Sequence, residues 1–475
     1  MKIGRMVGDT LATTPVVGTL FAKCQAHFRR RKMQWKQGDP ARLSGLERTQ
    51  QAQSAPSIGP QRQTADSWLD ERLAGHRPVS IFPVPDTRLR LTVVTDSVGE
   101  SSLFGGVGTA LVLGTLVANR LGAVLRLATR TERPDPAALG RVLSAANVRL
   151  EQPFEAVFAP VHKGRGLAVS ENDCFLSTSW WTTRGLLSSI RRDRIGYILQ
   201  EDERMFYPFN DERLRCQQTL AEPGVFVAIN TQLLHRHLTA GPHAIAGLSE
   251  RAVAFEPAFP GSLTQAAAPI RKRNGRRQLF FYARPNHPRN LFVTGLDALV
   301  TAITQGIFTA RDWQIHLVGR DAPDLAFPAG MQPNLVEGLS WNDYNVFVKR
   351  MDAGFVLMDT PHPSYPPLDL AAAGAAVLTN RHGIKTDLSR YSDNILMANT
   401  DRASLVAGLA RLAERAADDE ARAAARAADG ICRDWSATLE ETVSRIADHY
   451  ARGMAAEQAT ESPAILPVRE LARCG

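Results

Sequence analysis

Two arginines, Arg284 and Arg289, stand five residues apart in the run FYARPNHPRNL. The run follows an apolar stretch at 278–282 that is typical of a buried strand, and it precedes a helical pattern at 291–305. Ligands of α/β proteins bind where strands end, and guanidinium groups hold phosphates through bidentate hydrogen bonds. The spacing therefore indicates a diphosphate-binding pair, with two ordinary surface arginines as the alternative.

A proline-rich loop, PHPSYPPLD at 361–369, brings Asp369 into the first turn of a predicted helix. A carboxylate there can accept hydrogen bonds from ribose hydroxyls, while Ser364 and the Tyr365 backbone can meet phosphate oxygens. Aspartate is also favoured in the first turn of a helix for purely structural reasons. Ribose contact and helix capping both remain open interpretations.

Two consecutive glycines, Gly105 and Gly106, begin the run GGVGT at a predicted strand-to-helix turn. Such a turn lets a phosphate approach the backbone and the positive end of the helix. The run is not a dinucleotide fingerprint, because Leu111 stands where the third glycine belongs, and it lacks the Gly-Lys-Ser/Thr of a P-loop. A tight turn with a helix cap is the alternative.

Acidic side chains are followed by aromatic ones in QEDERMFYPF at 200–209, directly after a predicted strand. Carboxylates hold sugar hydroxyls and flat rings stack on sugar faces, so Tyr207 and the pair Trp180 and Trp181 are predicted acceptor contacts. A charged loop over a small apolar cluster, with the tryptophans in packing roles, is the competing interpretation.

Two strand–helix alternations must position these residues. The first contains predicted strands at 89–95, 123–128, 174–177, 195–199 and 224–229, and a second series starts at 278 after a turn-rich linker at 257–277. Alternation of this kind predicts two doubly wound α/β domains with a cleft between them. We expect a disordered basic leader at 1–80, domains at 88–262 and 275–430, a helix at 431–452 that crosses back to the first domain, and a tail at 453–475.

The net charge of +8 is concentrated at the N-terminus. Residues 1–65 hold eleven Lys and Arg against three Asp and Glu, so the remainder is neutral and nucleic acid is not an expected partner. The basic run at 29–32 would favour peripheral attachment to anionic lipid. Five dispersed cysteines without a CxxC pair fit a reducing cytoplasm, and no apolar run is long enough for a membrane span.

Five motifs in order resemble the GT-B glycosyltransferases, more narrowly the WsaF-type rhamnosyltransferases of bacterial polysaccharide assembly. The motifs are FGGVGTA, YILQEDERMFYPF, FYARPNHPRNLF, WQIHLVG and PHPSYPPLDLAAAGAAVLTN, and the resemblance covers about residues 90–440. It implies a GT-B fold whose C-terminal domain binds a nucleotide sugar without a metal or other cofactor. The implied donor contacts are Arg284 and Arg289 on the diphosphate, Ser364 and Tyr365 near the phosphates or sugar, Asp369 on the ribose, and Gly105 and Gly106 across the cleft.

One departure from the family pattern bears on the mechanism. Many retaining members carry two glutamates eight positions apart; Asp369 matches the second, but Pro361 occupies the first. An inverting route would instead need a general base on the acceptor side, for which Glu201, Asp202 and Glu203 are the predicted candidates.

The predicted function is transfer of a sugar, with rhamnose from dTDP-rhamnose as the leading donor, to a glycan or lipid-linked acceptor. We expect a cytoplasmic protein, peripheral on the inner face of the membrane through its basic leader. A non-catalytic sugar-nucleotide or glycan-binding protein is the main alternative. An NAD-dependent oxidoreductase is opposed by Leu111 in the glycine run. The linkage, stereochemical outcome and oligomeric state stay open.

Overall fold

The computed structural model describes residues 63–99, 106–161, 166–259, 275–287 and 289–461 of the 475-residue chain. Two parallel sheets dominate this part of the chain, and the predicted two-domain α/β architecture is confirmed. The strands are β1 (Ile81–Pro83), β2 (Arg90–Thr95), β3 (Val124–Thr129), β4 (Phe154–Phe158), β5 (Leu167–Val169), β6 (Asp173–Ser177), β7 (Ile195–Leu199), β8 (Phe226–Asn230), β9 (Ala252–Phe255), β10 (Arg277–Ala283), β11 (Trp313–Gly319), β12 (Asn334–Glu337), β13 (Ala353–Val356), β14 (Ala376–Asn380) and β15 (Ile395–Ala398).

Helices connect these strands on both faces of the sheets. They are α1 (Ala65–Arg72), α2 (Gly108–Leu121), α3 (Pro136–Ala146), α4 (Trp180–Leu187), α5 (Asp211–Leu220), α6 (Gln232–Thr239), α7 (Phe292–Thr304), α8 (Trp341–Val348), α9 (Tyr365–Ala372), α10 (Arg402–Ala417), α11 (Asp419–Ala427) and α12 (Trp435–Glu461). Within the described residues, none of these helices combines the length and apolar character that crossing a membrane requires.

Each sheet reverses its strand order at one point. The first sheet runs β4-β3-β2-β6-β7-β8-β9 and the second runs β12-β11-β10-β13-β14-β15, with every pair parallel. The order therefore changes direction between β2 and β6 and again between β10 and β13. In open α/β sheets, ligands bind outside the carboxyl ends of the strands at such a switch point.

Buried apolar residues cover both faces of each sheet. All six residues of β2 are buried, as expected for a parallel strand covered by helices on both faces. One cluster on the second sheet also takes in Leu233 and Phe259 from the first half of the chain, so the two halves share buried apolar surface.

The C-terminal helix α12 packs on the first half. Its residues Leu439, Val443 and Ile446 are buried in the same cluster as α2, and the Tyr450 hydroxyl donates to the Phe175 carbonyl at 2.6 Å. The helix continues to Glu461, so it extends into the predicted tail.

Part of the leader that the sequence predicts to be disordered contains a helix. Residues 1–62 of the predicted leader lie outside the described residues, but 63–80 contain α1, and the His76 ring lies 4.6 Å from the Trp180 ring between centroids. The last residues of the predicted tail, 462–475, and linker residues 260–274 also lie outside the described residues.

Candidate functional site

The Tyr365 hydroxyl joins the two halves at the carboxyl edges of their sheets. It lies 2.8 Å from Thr109 Oγ1 at the start of α2, accepts from Asn230 Nδ2 at 2.8 Å, and donates to Gln200 Oε1 at 3.4 Å. Asn230 ends β8 and Gln200 follows β7. Because Tyr365 begins α9, this contact places the proline-rich loop against the first sheet.

The loop before α9 holds polar atoms that lack partners. Ser364 has φ 70° and ψ 153°, a backbone region that is costly for any residue except glycine. Its buried Oγ and the Nε2 of buried His362 have no hydrogen-bond partner among the described residues. The Ser364 amide donates to His362 Nδ1 at 2.9 Å, and burial lowers the pKa of His362 to about 4. A neutral imidazole and a strained serine therefore line this edge of the second sheet.

Arg284 and Arg289 differ in their surroundings. Arg284 is half-buried, and its NH1 donates to the Tyr282 hydroxyl at 3.2 Å. Arg289 is buried: its NH1 lies 2.8 Å from Glu201 Oε2, and its guanidinium lies 4.7 Å from the centre of the Phe206 ring. Both follow β10 at the switch point, but Arg284 is the more available to a ligand.

The acidic run after β7 is held by contacts within the protein. Thr360 Oγ1 donates to Glu201 Oε2 at 2.6 Å, in addition to the Arg289 pair. Asp202 pairs with Arg204 at 2.7 Å and with His237 Nε2 at 3.0 Å. These carboxylates tie elements together, so they do not fit the predicted role of an acceptor base.

Glu203 does not fit that role either. It is 5% exposed, and its Oε2 accepts from the Trp180 amide at 2.7 Å and from the Tyr197 hydroxyl at 2.6 Å. Burial is the main cause that raises its pKa to about 8. A base must reach the acceptor hydroxyl, and this carboxyl is enclosed in the core.

The raised pKa of Glu203 has a consequence for stability. The pKa of Glu203 lies above 4.5, its value in the unfolded chain, so the unfolded chain releases the proton first as the pH rises. The free energy of unfolding of the protein therefore falls between pH 4.5 and about pH 8. We expect Glu203→Gln to match wild type near pH 5 and to be more stable by about 1–3 kcal/mol at pH 8. Urea unfolding across this range measures the difference, with exposed Glu171→Gln as control. Parallel pH curves for Glu203→Gln and wild type would contradict the expectation.

The predicted acceptor contacts are only partly presented to solvent. Trp180 is fully buried, and its Nε1 donates to the Tyr207 hydroxyl at 3.1 Å, so the prediction that it stacks on a sugar is wrong for this arrangement. Tyr207 and Trp181 are half-buried, and Trp181 Nε1 donates to Asp96 Oδ2 at 2.8 Å. Trp180 has a packing role because it is the first residue of α4 and lies in the core.

Asp369 and the glycine turn complete the predicted residues. Asp369 is buried, accepts from the Tyr344 hydroxyl at 3.0 Å, and has a pKa raised to about 7 by burial. Gly106 lies against Gln200, whose Nε2 donates to its carbonyl. Gly105 lies outside the described residues. No described contact joins Asp369 to the two arginines.

Several residues at this edge were missed by sequence reasoning. Lys385 is fully buried, its Nζ lies 3.4 Å from the carbonyls of Met358 and His362, and burial lowers its pKa to about 8. Asn230 and Asp96 were also missed; both lie at or directly after a strand end, which is the signal that would have found them. Among the residues that the structure describes, no three His, Cys, Asp or Glu side chains group as metal ligands.

Comparison with known families gives two matches along the chain. Residues 90–232 match the family model described as the WsaF N-terminal domain, and residues 277–410 match the WsaF C-terminal domain. Together the matches cover more than half of the chain. The matches begin at the first residue of β2 and of β10, and they cover the strands of the two sheets except β9.

One curated relative and several solved structures are similar to the chain. O-antigen biosynthesis protein RfbC of Myxococcus xanthus is 28% identical over 280 residues, which is 57% of this chain, and the match spans about a fifth of that relative's length. Anabaena HepE in complex with UDP-glucose is 13% identical, with 77% of this chain and 99% of that chain covered at a TM-score of 0.46. Sucrose-phosphate synthase of Thermosynechococcus elongatus is 13% identical, with 78% and 98% covered at 0.45.

Proposed function

Because the chain belongs to the WsaF family, we propose that it is a metal-independent GT-B glycosyltransferase that uses a nucleotide-sugar donor. The acceptor in this proposal is a glycan or a lipid-linked glycan of surface-polysaccharide assembly, and the leading donor is dTDP-rhamnose. The O-antigen relative supports the process, since its name concerns the same class of polymer.

The loop after β13 carries the proposal. At the switch point of the second sheet it holds a strained Ser364 and a neutral His362, both buried, and each has a polar atom without a hydrogen-bond partner among the described residues. Unpartnered buried polar atoms are costly, and backbone strain accumulates at ligand sites. A diphosphate at the start of α9 would satisfy them and would meet the positive end of that helix.

Roles for the remaining donor residues follow from their positions. Arg284 would bind the diphosphate. Asp369 would accept a hydrogen bond from a ribose hydroxyl in place of the one that it accepts from the Tyr344 hydroxyl. The transition state needs compensation of the negative charge on the departing nucleoside diphosphate, which guanidinium groups and helix termini supply without a metal. The Tyr365 contacts to the first sheet would help to exclude water from the donor.

A non-catalytic binding protein is the second candidate. It is favoured by one observation: Glu201, Asp202 and Glu203, the predicted bases, are all engaged in internal contacts. Release of nucleoside diphosphate from a sugar nucleotide distinguishes the two candidates, because a pure binder releases none.

A cytoplasmic location is part of the same proposal, with peripheral attachment through the basic leader. It is supported by the free cysteines of the described residues, Cys174, Cys216 and Cys432. The basic run at 29–32 itself lies outside the described residues.

A thermal-shift panel tests the donor site. We expect dTDP or dTDP-rhamnose, at about 100 times its Kd, to raise the Tm by roughly 5 °C or more, and UDP or GDP to do less. Arg284→Ala should lose most of this shift, because one of the diphosphate's charged partners is gone.

Arg311→Ala is the matched control, since Arg311 is exposed and lies before β11 at the opposite edge of the sheet. It should respond as wild type does. If no nucleotide raises the Tm of wild type, the donor site is wrongly assigned, and if Arg284→Ala responds fully, the diphosphate role of Arg284 is wrong.

A further inference from the structure

Glu201 belongs to the first half of the chain, but its carboxylate contacts polar groups of the second half. It is the second residue after β7. Its Oε2 lies 2.8 Å from Arg289 NH1 and accepts from Thr360 Oγ1 at 2.6 Å. Arg289 follows β10 and Thr360 follows β13, the two strands between which the second sheet reverses its order. The carboxylate therefore reaches the edge at which a diphosphate is proposed to bind.

Two buried N–H groups at this edge lack an acceptor. The Nδ1 of buried His362 accepts from the Ser364 amide at 2.9 Å. Burial lowers the pKa of His362 to about 4, so the ring is neutral at pH 7 and its proton is on Nε2. That Nε2 and the Nε of buried Arg289 have no hydrogen-bond partner among the described residues. Buried donors without acceptors are costly, so the edge is suited to a ligand rich in acceptor oxygens.

The charges at this edge also favour an anion. Burial lowers the pKa of His362 and of Lys385, and the negative charge of Glu201 acts against this in both cases. The Glu201 side chain is 19% exposed, whereas that of Asp359, which also acts on Lys385, is half exposed and lies 2.7 Å from His382 Nδ1. A diphosphate brings more acceptor oxygens and more negative charge than the Glu201 carboxylate.

We propose that Glu201 is an internal competitor of the donor's diphosphate for Arg289. This inference rests on the proposed function. Arg289 can pair with either anion: Glu201 compensates its charge and joins the two halves, whereas a diphosphate at the same guanidinium repels the Glu201 carboxylate. The ligand's additional oxygens would meet His362 Nε2 and Arg289 Nε. Donor affinity is therefore lowered by the fraction of molecules in which Glu201 holds Arg289.

Isothermal titration calorimetry with dTDP and UDP at pH 7 tests the competition. Glu201→Gln keeps the length of the side chain and an acceptor for Thr360, but it removes the charge that pairs with Arg289. We expect its Kd for the nucleotide that wild type binds to be at least about fivefold lower. Glu201→Ala should change the Kd in the same direction. Thymidine, which has no phosphate, should show no such gain.

Glu256→Gln is the matched control, because Glu256 also joins the two halves. Its carboxylate contacts Arg390 NH2 at 3.0 Å and the Tyr391 hydroxyl at 2.7 Å. The Kd of this variant should stay within about twofold of wild type. Combining Glu201→Gln with Arg289→Met should abolish the gain, because no guanidinium is released. This pair of changes removes both charges together and so leaves neither uncompensated.

A cooperative thermal transition without nucleotide checks that each variant is folded. A Kd of folded Glu201→Gln equal to or above that of wild type would overturn the internal competitor. An equal gain in Glu256→Gln, or a gain that persists with Arg289→Met, would overturn it as well, and in all three cases the donor site stands because nucleotide still binds. Failure of wild type and of both Glu201 variants to bind any nucleotide would instead overturn the proposed function, and this inference with it.

Discussion

Arg289→Ala is expected to lower the free energy of unfolding by about 3–5 kcal/mol at pH 7. The Arg289 side chain is 8% exposed and that of Glu201 is 19% exposed, with 2.8 Å between NH1 and Oε2. Removing the cation leaves a mostly buried carboxylate without its main charged partner. The variant also loses the packing of the guanidinium on Phe206, at 4.7 Å from the ring centre.

The loss should depend on pH in a definite direction. Burial raises the pKa of Glu201, but the charge of Arg289 and the hydrogen bonds from Arg289 and Thr360 outweigh it, so the pKa lies below its usual value of 4.5. Stability from a lowered carboxyl pKa is present above the unfolded pKa and is lost as the pH falls through the folded pKa. Without Arg289, burial dominates and the pKa of Glu201 rises, so the penalty is largest near pH 7 and shrinks towards pH 4.

Urea unfolding of Arg289→Ala, Glu201→Ala and the double variant at pH 7 and pH 4.5 measures how the loss of stability depends on pH. A coupling energy well above 0.5 kcal/mol in the cycle is expected for a pair this close. Exposed Arg311→Ala should stay within about 0.5 kcal/mol of wild type. An equal loss at both pH values with no coupling would show that Arg289 acts through packing on Phe206, and not through its charge.

Strand ends were the part of the site that sequence could predict. Arg284 and Tyr365 were singled out because each followed an apolar run at a predicted turn into a helix, and the structure puts both at the switch-point edge of the second sheet. Parallel strands carry a strong local signal, since they are apolar on both faces. The α/β architecture was predictable for the same reason.

The sequence could not predict which side chains contact each other across the sheet. Trp180 and Trp181 are neighbours with the same side chain, yet the first is buried and the second contacts Asp96, because a helix turns successive residues by 100°. Likewise, Glu201 and Glu203 look alike in the chain, but one meets Arg289 and the other lies in the core with Tyr197. These differences arise from contacts between distant segments, for which local patterns hold no information.

Asp173→Ala is expected to lower the free energy of unfolding by about 3–5 kcal/mol, with no direct effect on the proposed donor site. The Asp173 side chain is fully buried at the start of β6, far from the carboxyl edge. Its carboxylate accepts from Arg90 Nε at 2.7 Å and NH2 at 2.8 Å, and from Arg126 NH2 at 3.2 Å. Removing it leaves two arginines, 5% and 2% exposed in their side chains, without this partner.

Asp173→Ala should leave Arg126 with less charge compensation than Arg90. Arg90 keeps a hydrogen-bonded carboxylate, Asp86, whose Oδ2 lies 3.0 Å from its NH1. The hydrogen-bond partners that Arg126 keeps among the described residues are neutral, Thr92 Oγ1 at 2.9 Å and the Ala168 carbonyl at 2.7 Å, and Glu155 acts on it only through its charge. Pairing Asp173→Ala with Arg126→Met should therefore restore part of the stability, because the uncompensated buried charge is removed with its partner. Arg90→Met in the same background should restore less.

Urea unfolding of these variants at pH 7 measures the order of their free energies of unfolding. Exposed Asp324→Ala is the control, and its free energy of unfolding is expected within about 0.5 kcal/mol of wild type. Unchanged dTDP-induced Tm shifts in Asp173→Ala would show that the network supports the sheet and not the ligand edge. A double variant with Arg126→Met that is no more stable than Asp173→Ala alone would contradict the charge argument. The cost would then lie in lost hydrogen bonds to Arg90 and to the Ser170 amide, which donates to Asp173 Oδ2 at 3.0 Å.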